Sequence, residues 1–340
     1  MQQRGDKLES LKKYCSSGNL EDIRNNLSRL FPKLARAFDL YAGMGNDLKN
    51  FQLLNQEQWG LFLRDCAFVE TSAVVLDAAE TEQEGRKRNG HSVVSVPATS
   101  SVKWVDAKAV FDACCCKEKE KGMLLRYEFL EAICHLSVLL YIKVEANEVS
   151  MLAQALPLLG QQLGKKIHTS VVEDANGWRE RRLYRHDVDA ALRPVVGMLK
   201  SLFIAFAADS AADTDPRMDL AEWFSFMEDH GLQDDRLLSR RQITESFLLG
   251  KMRIADEEST NWSGMAFEDF LEAVARIAEN VEWPLDGIGK DHGAAIVERI
   301  RKSSVAKGDR EVGDAAAREK VPLGKKVTAL VEAIFSVLDQ

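Results

Sequence analysis

The stretch that most constrains this chain is Leu199 to Leu232, LKSLFIAFAADSAADTDPRMDLAEWFSFMEDHGL. Leu199, Leu202, Phe203 and Phe206 recur at helical spacing and fall on one face. An acidic, Pro-interrupted loop follows, and then a second helix with Trp223, Phe226 and Met227 on one side. Counting back from Glu222 as the last position of a twelve-residue loop places Asp213, Asp215 and Asp219 at positions 3, 5 and 9. That is the alternating oxygen supply a Ca2+ loop uses, because the ion takes six to eight oxygens and the closing Glu supplies two. Met218 then holds position 8, the apolar residue expected to pack between paired loops. Two residues depart from the pattern. Ala211 stands at position 1 where a carboxylate belongs, and Pro216 stands at position 6 in place of the Gly that makes the sharp turn.

In this register the unit is a worn EF-hand, and it has relatives within the chain. In LLNQEQWGLFLRDCAF, residues Leu54, Trp59, Phe62 and Asp65 match Met218, Trp223, Phe226 and Asp229 in order. A second type of unit appears in KGMLLRYEFLEAICHLSVLL, with a stripe of Phe129, Ile133, Leu136 and Leu140. The stripe returns in GMAFEDFLEAVARIAENV as Phe270, Val274, Ile277 and Val281. The order A-B-A-B is that of a duplicated pair of helix–loop–helix units. Trp59 and Trp223 lie 164 residues apart, while Phe129 and Phe270 lie 141 apart, so the first half carries an excess of 23 residues between Trp59 and Phe129. The expected excess is the Ser-, Thr- and charge-rich segment 71–103, which reads as a flexible tether or as an ordered arm lying on a partner.

The fold class expected is all-α, with two EF-hand-like domains, each a pair of degenerate helix–loop–helix units, plus linking helices. Residues 1–165 form the first pair, 166–290 the second, and 291–340 a linker and a C-terminal docking helix with Val327, Leu330, Ile334 and Leu338 on its apolar side. Leu152, Leu156, Leu159 and Leu163 mark a helix that closes the first domain.

The other three loops have lost most of their ligands. The first offers Asp47 but closes on Gln58, a neutral amide with one carbonyl oxygen. In the second, Glu128 closes correctly, yet Lys117, Lys119 and Lys121 stand where carboxylates should, and three ammonium groups repel a divalent cation. The fourth has Glu258, Thr260, Trp262 and a closing Asp269, with Met265 at position 8. The metal candidates are therefore Asp213, Asp215, Asp219 and Glu222 of the third hand. No cofactor is required, and Ca2+ at that one site is the ion to test.

Cys114, Cys115 and Cys116 invite a metal reading, but neighbours on a helix point about 100° apart and cannot converge on one tetrahedral ion. Small buried thiols are the expectation, with a mixed site involving Cys134 and His135 as the alternative. Arg179, Arg181, Arg182, Arg185 and His186 make a basic face suited to an acidic partner such as the tubulin surface, or paired with neighbouring carboxylates.

Composition narrows the classes. A net charge of −8 and a pI near 5.5 argue against a nucleic-acid or anionic-membrane binder. Apolar runs fall well short of the roughly 20 residues of a membrane helix, and MQQRGDKLES is too polar for an export signal. Six cysteines without framework spacing fit a reducing, cytoplasmic setting. No phosphate loop, H-E-x-x-H or nucleophile elbow occurs, so an enzyme is not expected.

The motif W-x-x-F-x-x-D after one loop and (E/D)-F-L-E-A after the next resembles the divergent EF-hand-like repeat proteins of cilia and flagella, with calmodulin-like paired helix–loop–helix units. Arg179 to Tyr184 as R-x-x-x-L-Y, followed by Val188 to Leu192 as V-x-x-x-L, extends the resemblance, which covers about residues 30–285. It implies a non-enzymatic structural or adaptor protein of the axoneme, in the cytoskeleton of a cilium or flagellum, with tubulin or other axonemal proteins as partners and neither nucleic acid nor membrane. The alternative is a Ca2+ sensor acting through the third hand.

Overall fold

In a computed structural model of the chain, residues 19–45, 53–69, 101–115, 122–142, 151–167, 174–207, 216–234, 236–251, 264–283, 292–302 and 321–338 are described. The fold is all-α, with a trace of strand. The described residues fall into two compact units, one ending before and the other beginning after the boundary between Val172 and Glu173.

The first unit contains α1 (Leu20–Gly43), β1 (Leu54–Asn55), α2 (Gln56–Asp65), α3 (Trp104–Cys114), β2 (Met123–Leu124), α4 (Arg126–Tyr141) and α5 (Leu152–Lys166). β1 and β2 are antiparallel, with Leu54 opposite Leu124. Helix α2 starts where Asn55 and Gln58 cap it reciprocally: the Gln58 amide donates to Asn55 Oδ1 at 2.9 Å, and the Asn55 amide donates to Gln58 Oε1 at 2.6 Å. It ends in a Schellman turn, with the Phe68 N–H on the Leu63 carbonyl, the Ala67 N–H on the Arg64 carbonyl, and Ala67 at φ 53°. Trp59, Phe62 and Phe129 are fully buried with Leu54 and Leu124. The apolar side of α5, Leu152, Leu156, Leu159 and Leu163, is buried where α5 packs on α1 and α4. Val69 and Val102 form a parallel bridge, so the long segment between them leaves and returns at one place.

The second unit contains α6 (Ala175–Trp178), which runs into a π-helical turn (Arg179–Leu183), then α7 (His186–Leu192), α8 (Val196–Phe206), α9 (Leu220–Asp229), α10 (Arg240–Gly250), α11 (Phe267–Asn280), α12 (Gly293–Lys302) and α13 (Leu323–Leu338). Met218 and Met265 exchange two backbone hydrogen bonds of 3.0 and 2.8 Å, the counterpart of the Leu54–Leu124 pairing. α9 again ends in a Schellman turn, here with Gly231 at φ 62°. α13 packs on α7, α11 and α12 with Val327, Leu330 and Ile334 buried, and the Gly324 N–H donates to Asp187 Oδ2 at 2.9 Å. The C-terminal helix thus belongs to the core of its own unit, in the role α5 plays in the first. Among the described residues no helix is long and apolar enough to cross a membrane.

The duplication can be followed through a hydrogen bond. Trp59 Nε1 donates to the Ala107 carbonyl at 3.2 Å, and Trp223 Nε1 donates to the Ile243 carbonyl at 3.1 Å. Ala107 and Ile243 are 136 residues apart, a smaller offset than the 141 at Phe129 and Phe270. The excess of 23 therefore has two parts. The first half carries 28 more residues between α2 and α3 than the second does between α9 and α10, and five fewer between α3 and β2 than its counterpart has after α10.

Candidate functional sites

Each of the four loops closes on a side chain that turns back to the start of its own exiting helix. Gln58, Glu128, Glu222 and Asp269 accept backbone N–H bonds from Asn55, Leu125, Asp219 and Ala266 at 2.6, 2.9, 2.7 and 3.0 Å. In the first and third loops the bond is reciprocated, since Asp219 Oδ1 accepts from the Glu222 amide at 2.8 Å just as Asn55 accepts from Gln58. Leu125 and Ala266 have no acceptor side chain, so those two caps are half-complete.

Of the calcium candidates, Asp219 and Glu222 are therefore brought together as a helix cap, and Asp213 and Asp215 lie outside the described residues. The same is true of Asp47, Lys117, Lys119, Lys121, Glu258, Thr260 and Trp262. A Ca2+ cage would need both oxygens of Glu222, one of which is bonded to the Asp219 amide, and further carboxylates besides. The described residues do not make up that donor set. The first loop goes further: Gln58, 7 % exposed, also donates from Nε2 to the Ala42 carbonyl at 2.8 Å. It ties the start of α2 to the end of α1, as a metal bridging the two ends of a loop would, but it does so with an N–H that no carboxylate has.

Among the described residues one group of three metal-ligand side chains converges: Cys114 at the end of α3, with Glu131 and His135 on α4, their donor atoms all within 4.8 Å of one another. Cys114 is buried and the other two are half-buried. The triplet expectation is thus met only in part. Cys114 and Cys115 are buried thiols, Cys116 is outside the described residues, and Cys134 faces an apolar cluster of Ile23, Val138, Leu152 and Leu156 instead of His135's neighbours. Glu131 was missed in the sequence, although its spacing of four from His135 puts both on one helix face.

The corresponding place in the second unit holds cations. Glu272 accepts from Arg179 Nε at 2.7 Å and from Arg276 Nε at 2.9 Å, and the Arg276 guanidinium lies 4.0 Å from the centre of the Trp178 ring. Arg179 also donates to the Leu249 carbonyl at 3.2 Å. Arg182 is bound similarly, to Glu279 at 2.8 Å, with Lys326 of α13 on the same carboxylate at 3.1 Å. Two arginines of the expected basic face are consequently turned into the unit, while Arg181, Arg185 and His186 remain exposed.

Elsewhere burial and the neighbouring Asp65 raise the Cys66 thiol above its ordinary value, which keeps it protonated. Burial pushes Tyr141 up to about 12, so its hydroxyl donates to Gln162 Oε1 at 2.8 Å across the working pH range. Neither group has the depressed or poised pKa of a nucleophile or general base.

No family model matches the chain, and neither a curated protein nor a solved structure matches it significantly.

Proposed function

We propose that the chain is a non-enzymatic structural or adaptor protein of the ciliary or flagellar axoneme, built from two EF-hand-like pairs whose loops are kept for shape. The observation that carries the structural half of this reading is Gln58. A side chain at the closing position that donates to Ala42 and accepts from Asn55 ties the start of α2 to the end of α1 through hydrogen bonds. The paired position-8 residues, Leu54 with Leu124 and Met218 with Met265, support the EF-hand-like description. The axonemal setting rests on the sequence motifs, and tubulin or neighbouring axonemal proteins are the partners they suggest. In the second reading, a Ca2+ sensor, the third hand would bind the ion and open a helix pair.

The test is co-sedimentation of the full chain with doublet microtubules, with and without Ca2+, beside calorimetry with Ca2+ on the full chain and on Glu222→Gln. Pelleting that is indifferent to Ca2+, with no heat below millimolar ion, is expected. Failure to pellet removes the axonemal assignment. Micromolar Ca2+ binding that Glu222→Gln abolishes replaces the structural reading with the sensor.

A further inference from the structure

Glu131 and Glu272 occupy the same place in the two units, each two residues beyond a buried phenylalanine, Phe129 or Phe270, of its (E/D)-F-L-E-A run. Their neighbours differ in kind. Where the second unit has Gly250 at the end of α10 and Arg276 on α11, the first has Cys114 at the end of α3 and His135 on α4. Around Glu272, Arg179 joins the carboxylate of α11 to the Leu249 carbonyl near the end of α10, so a cation fastens those two helices together. Around Glu131, the side chains that converge from the same two elements are a thiol, an imidazole and a carboxylate.

We propose that Cys114, Glu131 and His135 bind a divalent transition metal of the Zn2+ class, which fastens α3 to α4 as Arg179 fastens α10 to α11. The donor set selects the metal. Ca2+ and Mg2+ are hard ions that take oxygen, whereas sulfur, nitrogen and one carboxylate oxygen together suit Zn2+ and its neighbours in the first transition row. Glu131 and His135, four residues apart, present their donors from one face of α4 while Cys114 arrives from another helix, so the three do not compete for one direction. A tetrahedral ion with bonds of roughly 2.0–2.3 Å keeps its ligands about 3.3–3.8 Å apart, so donors within 4.8 Å close onto it by modest side-chain rotation. Half-burial of Glu131 and His135 gives the ion a way in, and three protein ligands leave the fourth position to water. Binding converts the Cys114 thiol to a thiolate and releases its proton to solvent.

The experiment uses the full chain, stripped with a chelator under reducing conditions and titrated with Co2+ and then Zn2+. Co2+ reports the ligands directly, through a thiolate-to-metal charge-transfer band and the visible bands of a tetrahedral ion. The wild-type protein is expected to show both at one equivalent and to lose them when Zn2+ displaces the cobalt. Cys114→Ser should remove the charge-transfer band, and His135→Gln and Glu131→Gln should each weaken binding. Because losing even an outer-shell partner costs about 10- to 100-fold in affinity, each ligand variant should lose at least that. The double variant Cys115→Ser, Cys116→Ser should keep the band. A wild-type protein without the charge-transfer band overturns the proposal with no variant needed. So does a band that survives Cys114→Ser, or wild-type affinity in both His135→Gln and Glu131→Gln.

Discussion

In the first unit the ring of Trp59 lies 5.7 Å from Phe62 and 5.9 Å from Phe129, and Phe62 lies 5.3 Å from Phe129. In the second the corresponding separations, Trp223 to Phe226, Trp223 to Phe270 and Phe226 to Phe270, are 5.5, 5.9 and 5.3 Å. A fourth ring joins each cluster at the same distance, Phe38 at 5.5 Å from Phe129 and Phe203 at 5.5 Å from Phe270. The two cores are one solution used twice. The periphery is not: the first residue of α4 is Arg126, whose guanidinium lies 5.6 Å from the centre of the Phe38 ring, while α11 begins with Phe267, 5.6 Å from Phe203. Close-packed interiors tolerate little change in volume, so duplicated cores diverge slowly while polar positions beside the aromatic cluster are free to take up new chemistry. The difference between the two glutamate sites is of the second kind.

The most demanding test of the shared core is Trp59→Ala beside Trp223→Ala. Each deletes a fully buried ring and leaves the Ala107 or Ile243 carbonyl without its indole N–H, so each should cost about 3–5 kcal/mol in denaturant unfolding. Nearly equal losses are expected. A cost under about 1 kcal/mol for either would break the equivalence of the two cores.

Glu272→Ala against Glu131→Ala comes next. Removing Glu272 takes the shared carboxylate from Arg179 and Arg276, only 14 % and 4 % exposed at their side chains, and breaking a buried pair in this way costs roughly 3–5 kcal/mol. Removing Glu131 from protein stripped of metal breaks no ion pair among the described residues and should cost well under half as much. If the two variants are equally stable under those conditions, the contrast drawn between the sites is wrong.

Much of this was legible in the sequence because apolar periodicity reports burial directly. Leu54, Trp59, Phe62, Leu124 and Phe129, and likewise Met218, Trp223, Phe226, Met265 and Phe270, were expected to form the two cores, and all ten are fully buried. The position-8 pairing followed from loop register alone. What the sequence hid were contacts between residues far apart in the chain with no periodicity to announce them. Arg179 lies on a π-helical turn, a local distortion with no compositional signal, and its partner Glu272 is 93 residues away. The basic face consequently looked solvent-directed. Cys114 was judged with its neighbours Cys115 and Cys116, although its companions come from another helix. The single offset of 23 concealed two compensating length changes because only the tryptophan and phenylalanine anchors were compared.

The loops supply a finer contrast, between Gln58 and Glu222. Gln58→Glu replaces an N–H donor with a carboxylate oxygen facing the Ala42 carbonyl in a buried setting, which should cost about 1–3 kcal/mol. Glu222→Gln keeps an oxygen for the Asp219 amide and should cost less than about 1 kcal/mol. Thermal unfolding of both single variants in chelator checks the pair. If Gln58→Glu is harmless, the first loop does not depend on its amide strut, and the observation behind the structural reading fails.

The smallest effect distinguishes the ends of α2 and α9. Both helices terminate through the same two Schellman bonds, but the left-handed residue is Ala67 in one and Gly231 in the other. A Cβ at φ 53° costs about 1–2 kcal/mol that glycine does not pay, partly offset by glycine's greater freedom in the unfolded chain. Ala67→Gly should therefore stabilise the first unit by about 0.5–1 kcal/mol, and Gly231→Ala should destabilise the second by a similar amount. The signs carry the argument, since the two substitutions exchange the residue at the left-handed position of each turn. A destabilising Ala67→Gly would mean that the Ala67 methyl makes a packing contribution larger than its backbone strain, and the two helix ends would then share their Schellman bonds but not what holds them.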